Sequence, residues 1–157
     1  MSVDQVRTYL DRWGRGKDIV EMDISTATVE LAAAAFGVIP ARIAKSISLR
    51  GREGGALMVV VAGDVKIDNK KFRGHFGFKP KMLSPEEALE HTGHAIGGVC
   101  PFALPAGLDV YLDISMKRFQ TVFPACGSGN SAIELAPDEL EKYSQSKGWV
   151  DVCVLIA

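Results

Sequence analysis

Several features are missing from this chain, and each absence removes a class of function. No apolar run approaches the ~18 residues that a membrane-spanning helix needs, and no charged-then-apolar leader with a small-residue cleavage site opens the sequence. The three cysteines, Cys100, Cys126 and Cys153, are odd in number and form no CxxC pair. That pattern fits neither a disulfide framework nor, with only three histidines, a tetrahedral zinc set, so no metal and no cofactor are expected. Neither GxGxxG after a strand nor GxxxxGK[ST] occurs, which leaves nucleotide triphosphate chemistry without support. The net charge of −1 provides no global attraction to nucleic acid or to an anionic membrane. Repeats, linkers and low-complexity segments are absent too. What remains is one domain over residues 1–157, 47% hydrophobic and able to bury a core without staples, with a reducing cytoplasm as its natural home.

Local patterning predicts an α+β fold. Val3, Val6, Leu10 and Trp13 recur at helical spacing and end at Gly14 and Gly16. In "STATVELAAAAFG" Ser and Thr can cap free amides, the alanine run favours helix, and Gly37 offers a left-handed stop before Pro40. Strands over 45–49 and 56–62, joined by "RGREGG", read as a β-hairpin. Asp68 or Asn69 can cap a short helix through His75, and "SPEEALEHTG" carries Ser84, Pro85 and Glu87 as a helix start. Further strands are expected at 108–112, 121–125, 132–135 and 149–156, with "APDELEKY" as a closing helix. Short strands broken by loops and interleaved with helices point away from a repeating βαβ layout.

Three stretches could carry chemistry. In "GHAIGGVCPFALP" Gly97 and Gly98 free the backbone, and the amides of Gly98, Val99 and Cys100 could converge on one anionic oxygen; a plain turn fits the same residues. Cys100, with His91 and His94 upstream and Asp113 downstream, also allows a thiol nucleophile, although a cysteine is as readily a small buried hydrophobe. The small residues of "PACGSGNSAIEL" could line a pocket or form an exposed hairpin turn. Charge is uneven as well. Residues 66–81 hold six basic residues against one acid, among them Lys66, Lys70, Lys71 and Arg73. This is either a phosphate-contacting surface or a solvated face whose Phe72, Phe76 and Phe78 pack inward.

Taken together, "ARIAKSISL", "MVVVAGDVKIDNKKF", "MLSPEEALEHTGHAIGGVCPFALP", "VYLDISM" and "SAIELAPDELEKY" follow in an order and spacing that resembles the YbaK/prolyl-tRNA synthetase-associated domain family, over about residues 25–143. That family is similar to the editing domain inserted in bacterial prolyl-tRNA synthetases, and its free-standing members remove wrongly attached amino acids from tRNA, chiefly tRNA(Pro). The resemblance implies a compact α+β domain, with a central barrel-like mixed sheet surrounded by short helices. It puts Lys45 on the family's polar anchor and Gly97, Gly98, Val99, Cys100 and Pro101 on the facing glycine loop. Residues 25–28, with Thr26 and Thr28, should border the same pocket. The loop of Gly127, Ser128, Gly129, Asn130 and Ser131 should line it. Alanine-specialised members tend to carry a histidine in that loop, and cysteine-specialised ones a lysine or arginine pair. This chain has neither, so the amino acid stays open.

The reaction this implies is hydrolysis of the ester joining a small amino acid to the terminal adenosine of a mischarged tRNA, most readily tRNA(Pro), with prolyl-tRNA synthetase as a candidate partner and no DNA or membrane involved. With no Ser-His-Asp set in view, positioning and charge stabilisation must supply the catalysis. A non-catalytic tRNA- or synthetase-binding module of the same fold, and a hydrolase built on Cys100, are the alternatives.

Overall fold

The computed structural model describes residues 2–156. Helix α1 (Ser2–Leu10) buries Val3, Val6 and Leu10, as their spacing demands, and a 3-10 turn carries it on to Trp13. After the short strand β1 (Val20–Glu21), Thr28 caps α2 (Val29–Phe36) by accepting a hydrogen bond from the Leu31 amide, and Gly37 ends it at φ 68. The small Ala32 and Ala33 let this helix pack closely on Ile43 of the sheet.

The predicted hairpin is the spine of the molecule. Strands β2 (Ile43–Arg50) and β3 (Ala56–Ala62) pair antiparallel, with Lys45 opposite Val61 and Ile47 opposite Val59. β3 is apolar throughout because it lies centrally, covered on both faces. Strand β4 (Val65–Ile67), absent from the sequence reading, precedes α3 (Asn69–Phe76), which Asp68 caps, and α4 (Pro85–Thr92), which carries the Ser84–Glu87 capping box. Then come β5 (Asp109–Asp113), β6 (Phe123–Pro124), β7 (Ser131–Ala132) and α5 (Pro137–Ser144). The chain closes with β8 (Gly148–Val150) and β9 (Cys153–Leu155), where a single last strand was expected. Residues 151 and 152 break the run, because the Val152 amide turns to the buried Asp113 carboxylate and not to a neighbouring strand.

The central sheet is mixed, as expected, in the order β6-β2-β3-β5-β8, and β1-β7 and β4-β9 form two separate two-stranded ribbons. Only β2 and β3 in the central sheet run antiparallel to each other; β6, β5 and β8 join in parallel. The basic stretch resolves in favour of packing for its aromatics. Phe72 is fully buried, with Phe76 and Phe78 rings at 4.5 and 5.7 Å from it.

Candidate functional site

The site begins as a gap in the outer edge of β2. Pairing with β6 covers Ile43 and Ala44 and stops there, since Ala125, the residue after Pro124, turns to bridge Ala132. At the other end the Leu83 amide donates to the Ser48 carbonyl (3.1 Å) and the Arg50 amide donates to the Lys81 carbonyl (2.8 Å). A residue's N–H and C=O share one edge of a strand, alternating from residue to residue. Ser46 therefore has the same outward parity as Ser48 and Arg50, with no strand beside it. Its Oγ is buried and has no hydrogen-bond partner among the described residues. Over this gap lies a cavity of about 270 Å³, walled by residues 44–48, Thr26, Thr28, Met82, Ile96, Gly97, Val99 and Ser131.

Lys45 lines the cavity half-buried, and its Nζ donates to the Val65 carbonyl at 2.9 Å. Burial pushes its pKa below the ordinary lysine value, opposed by Cys153, Glu30 and Asp64 nearby. An ammonium has three donors, so two remain beyond the one given to Val65.

The glycine loop faces it in part. Gly97 and Val99 line the cavity, and their amides have no partner among the described residues. Gly98 departs from expectation: its amide donates to the Ala95 carbonyl (3.0 Å), which takes it out of any oxyanion set. A Cβ at Gly98 would meet the backbone of Gly127 and Ser128 at 2.7 Å, so this glycine is where two loops touch.

Cys100 does sit beside a histidine, with Sγ 3.5 Å from His94 Nε2, but the environment disables the pair. Both side chains are fully buried, neither lines the cavity, and burial pushes the thiol up to about 12. His94 Nε2 lies 2.8 Å from the Phe102 carbonyl, which can only accept, so that nitrogen carries a proton and is no base for the thiol. Asp113 is spent on the amides of Ser115 and Val152.

The loop 127–131 is mostly a brace. Gly127 packs on Ser2 and Val6, and the Gly129 carbonyl accepts from the Thr26 amide. Asn130 clasps Met22 through its side-chain amide (2.9 Å) and its carbonyl (2.7 Å), and Ser128 Oγ bonds Asn130 and Ser131. Of this loop only Ser131 reaches the cavity, beside Ala125 and Ala132; Gly127, Ser128, Gly129 and Asn130 are not walls. Pro101 lines a different cleft, with Tyr9 and Arg12. Thr26 and Thr28 do border the cavity, though Thr28 also spends its hydroxyl on the helix cap. Ser46 and Ser48 were missed in the sequence; their signal, polar residues inside a strand pattern, is also that of a half-exposed strand.

The basic segment separates into two kinds of cation. Lys71 is tied to Asp151 (3.1 Å) and to the Cys153 carbonyl (2.9 Å). Lys66, Lys70 and Arg73 are exposed, and Lys70, Arg73 and Lys79 share a shallow cleft with Pro80. Two residues further on, Met82 is at the cavity rim, so cleft and cavity are neighbours along the chain. Among the described residues no group of three or more His, Cys, Asp or Glu is placed to hold a metal, and no helix is long and apolar enough to cross a membrane.

Residues 24–143 match the model of the aminoacyl-tRNA editing domain. The chain is 60% identical over 153 residues to the uncharacterized protein YwhH of Bacillus subtilis (strain 168), covering 98% of each. It is 26% identical over 114 residues to EbsC of Enterococcus faecalis (strain ATCC 700802 / V583), described as a candidate Cys-tRNA(Pro)/Cys-tRNA(Cys) deacylase, covering 72% of this chain and 70% of that one. The fold superposes on a crystal structure described as a candidate trans-editing enzyme for prolyl-tRNA synthetase, with TM-score 0.86, 32% identity and 96% of both chains covered. A gap in a mixed sheet, faced by a half-buried lysine and a glycine loop, is thus set in a fold and a sequence shared with these proteins, and the chain belongs to the aminoacyl-tRNA editing domain family.

Proposed function

We propose that this protein is an aminoacyl-tRNA deacylase acting in trans on a small amino acid mischarged on tRNA, with tRNA(Pro) as the carrier. The observation that carries the reading is the cavity itself: at about 270 Å³ it is slightly smaller than typical ligand clefts of about 300 to 1,000 Å³, and it holds one half-buried cation at a sheet gap with unpaired polar groups. Such a space suits an aminoacyl group and offers no acid to pair with a charged side chain. The near end-to-end likeness to a candidate trans-editing enzyme for prolyl-tRNA synthetase supports the carrier and the action in trans.

The chemistry follows from the walls. Lys45 polarises the ester or holds the ribose end, and the free amides of Gly97 and Val99 receive the oxyanion, a revision of the amide set expected from sequence. Ser46 offers its hydroxyl and outward backbone groups to the aminoacyl moiety. Water adds to the carbonyl carbon, the ester C–O bond breaks, the ribose oxygen takes a proton, and free amino acid leaves. The exposed Lys66, Lys70 and Arg73 hold tRNA phosphates beside the cavity, while Lys71, already paired, contributes less.

The deciding experiment is single-turnover deacylation of tRNA(Pro) charged with alanine, serine, cysteine, arginine, phenylalanine or proline. Rapid release of one or more small residues, with Pro-tRNA(Pro) spared, is expected. Binding of all six without release would make the protein a tRNA-binding module, and equal release of all six would remove the cavity as the specificity element.

A further inference from the structure

We propose that His94 is the positioning residue of this site: its ring N–H, bonded to the Phe102 carbonyl, ties together the two roots of the 95–101 loop and thereby sets where Gly97 and Val99 face the cavity. The inference rests on the deacylase reading for its consequence and on geometry for its substance. A loop that must present two backbone amides to a reacting oxygen has to be held by something other than those amides, because their hydrogen bonds are reserved for the substrate. In this chain the hold is applied from inside the core.

His94 and Phe102 are both fully buried, one at each end of the loop, and the 2.8 Å contact between Nε2 and the carbonyl joins them. The root on the His94 side is fixed in turn by α4. Thr92, fully buried at the end of that helix, donates its hydroxyl to the Ala88 carbonyl at 2.6 Å and accepts from the His94 amide at 3.1 Å. The loop's middle is held separately, where Gly98 meets the Gly127 backbone. Roots and middle are therefore anchored, and the two segments between them, at Gly97 and Val99, line the cavity.

The ring's second nitrogen strengthens the assignment. Nδ1 is buried with no partner among the described residues, so the imidazole is retained at the cost of an unsatisfied polar atom. A side chain kept only to fill space would be apolar here. The N–H that reaches Phe102 is what an apolar residue of the same volume cannot supply.

The test compares His94→Leu, which fills the site without a donor, with His94→Gln, whose side-chain amide can donate to Phe102. Thr92→Val, nearly isosteric, removes the hydroxyl that holds His94 without touching the ring. Amide hydrogen exchange is read at Gly98, whose amide is bonded to the Ala95 carbonyl within the loop, and, as an internal control, at 57–62 in β3. In His94→Leu the Gly98 amide is expected to exchange at least tenfold faster while β3 is unchanged, with a smaller rise in Thr92→Val and near wild-type protection in His94→Gln. Single-turnover deacylation should fall at least tenfold in His94→Leu with the apparent substrate affinity within threefold, and recover in His94→Gln. Unchanged loop exchange in Thr92→Val and in whichever His94 variants fold would overturn the proposal. Equal loosening in Leu and Gln variants would do so too, by showing that ring shape and not the donor matters. A wild-type protein that protects the loop as described but deacylates nothing would instead count against the deacylase reading, leaving the clamp standing.

Discussion

Lys45 Nζ donates to the carbonyl of Val65, 20 residues ahead in the chain and two strands further on in the fold, at 2.9 Å. The contact fixes a long, flexible side chain whose rotamer freedom would otherwise oppose catalysis, and it leaves two donors for a substrate. Lys45→Ala is expected to lower single-turnover deacylation about 100-fold or more, the scale of losing one transition-state donor, with little change in melting temperature. Lys45→Arg should rescue poorly, because the planar fork cannot repeat the same contact in the same space. A wild-type rate in the alanine variant would remove Lys45 from the mechanism.

Ser46 offers a contrast between stability and activity. Its hydroxyl is buried and unpaired, so Ser46→Ala should leave the protein as stable as before or slightly more so. If that hydroxyl meets the aminoacyl group, the same variant should raise the apparent KM several-fold. Thermal melts and steady-state kinetics on one preparation check both halves.

Cys100 is shielded twice, by complete burial and by a thiol pushed up to about 12. Iodoacetamide at pH 8 should therefore leave it unmodified in the folded protein and label it after unfolding, as intact-mass spectrometry with peptide mapping would show. Cys100→Ala should keep most of the deacylase activity. A loss of several orders of magnitude would restore the thiol mechanism.

Lys70 and Arg73 stand exposed in a cleft with Lys79 and Pro80, two residues along the chain from Met82 of the cavity wall. The double variant Lys70→Ala/Arg73→Ala should weaken binding of uncharged tRNA and reduce the slope of log K against log salt by about 1 to 2, the scale of losing two phosphate contacts. Lys71→Ala, which breaks a pair with Asp151, should change that slope less. Filter binding between 50 and 200 mM salt separates the two.

His94 predicts how stability changes with pH. Burial lowers its folded pKa below 6.5, the value expected in the unfolded chain. Above 6.5 neither state binds the proton. Below it the unfolded state takes up the proton before the folded state does, so stability falls as the pH drops, by up to about 1.4 kcal/mol per unit, until the folded pKa is passed. Asp64, held down chiefly by its hydrogen bond to Arg118, and Glu87, held down by the Ser84 backbone, lose their contributions only as the pH falls below their ordinary 3.8 and 4.5. Urea titrations between pH 6.5 and 5 should show the slope in the wild type and lose it in His94→Gln.

Elements with local signals were legible in the chain. Ser84 caps the helix it was expected to cap, Thr28 and Asp68 are the caps among the candidates their segments offered, and the 45–49 and 56–62 runs form their hairpin, because capping and strand alternation depend on residues a few positions apart. The family was legible as a pattern of short motifs in order, and the lysine singled out by that pattern, Lys45, lines the cavity. Which residues share the cavity depends on the folded arrangement. It kept Thr26, Ser131, Gly97 and Val99, dropped Asn130 and Gly98, and added Ser46, because membership depends on where β6 stops, which amides are already spent and which loops brace each other. Most of those are contacts between segments far apart in the chain, such as Ile43 beside Phe123 and Asn130 on Met22, and no short window of sequence contains them. The same holds for Cys100: its neighbours in sequence suggest a nucleophile, and its burial, a property of the whole packed core, makes it inert.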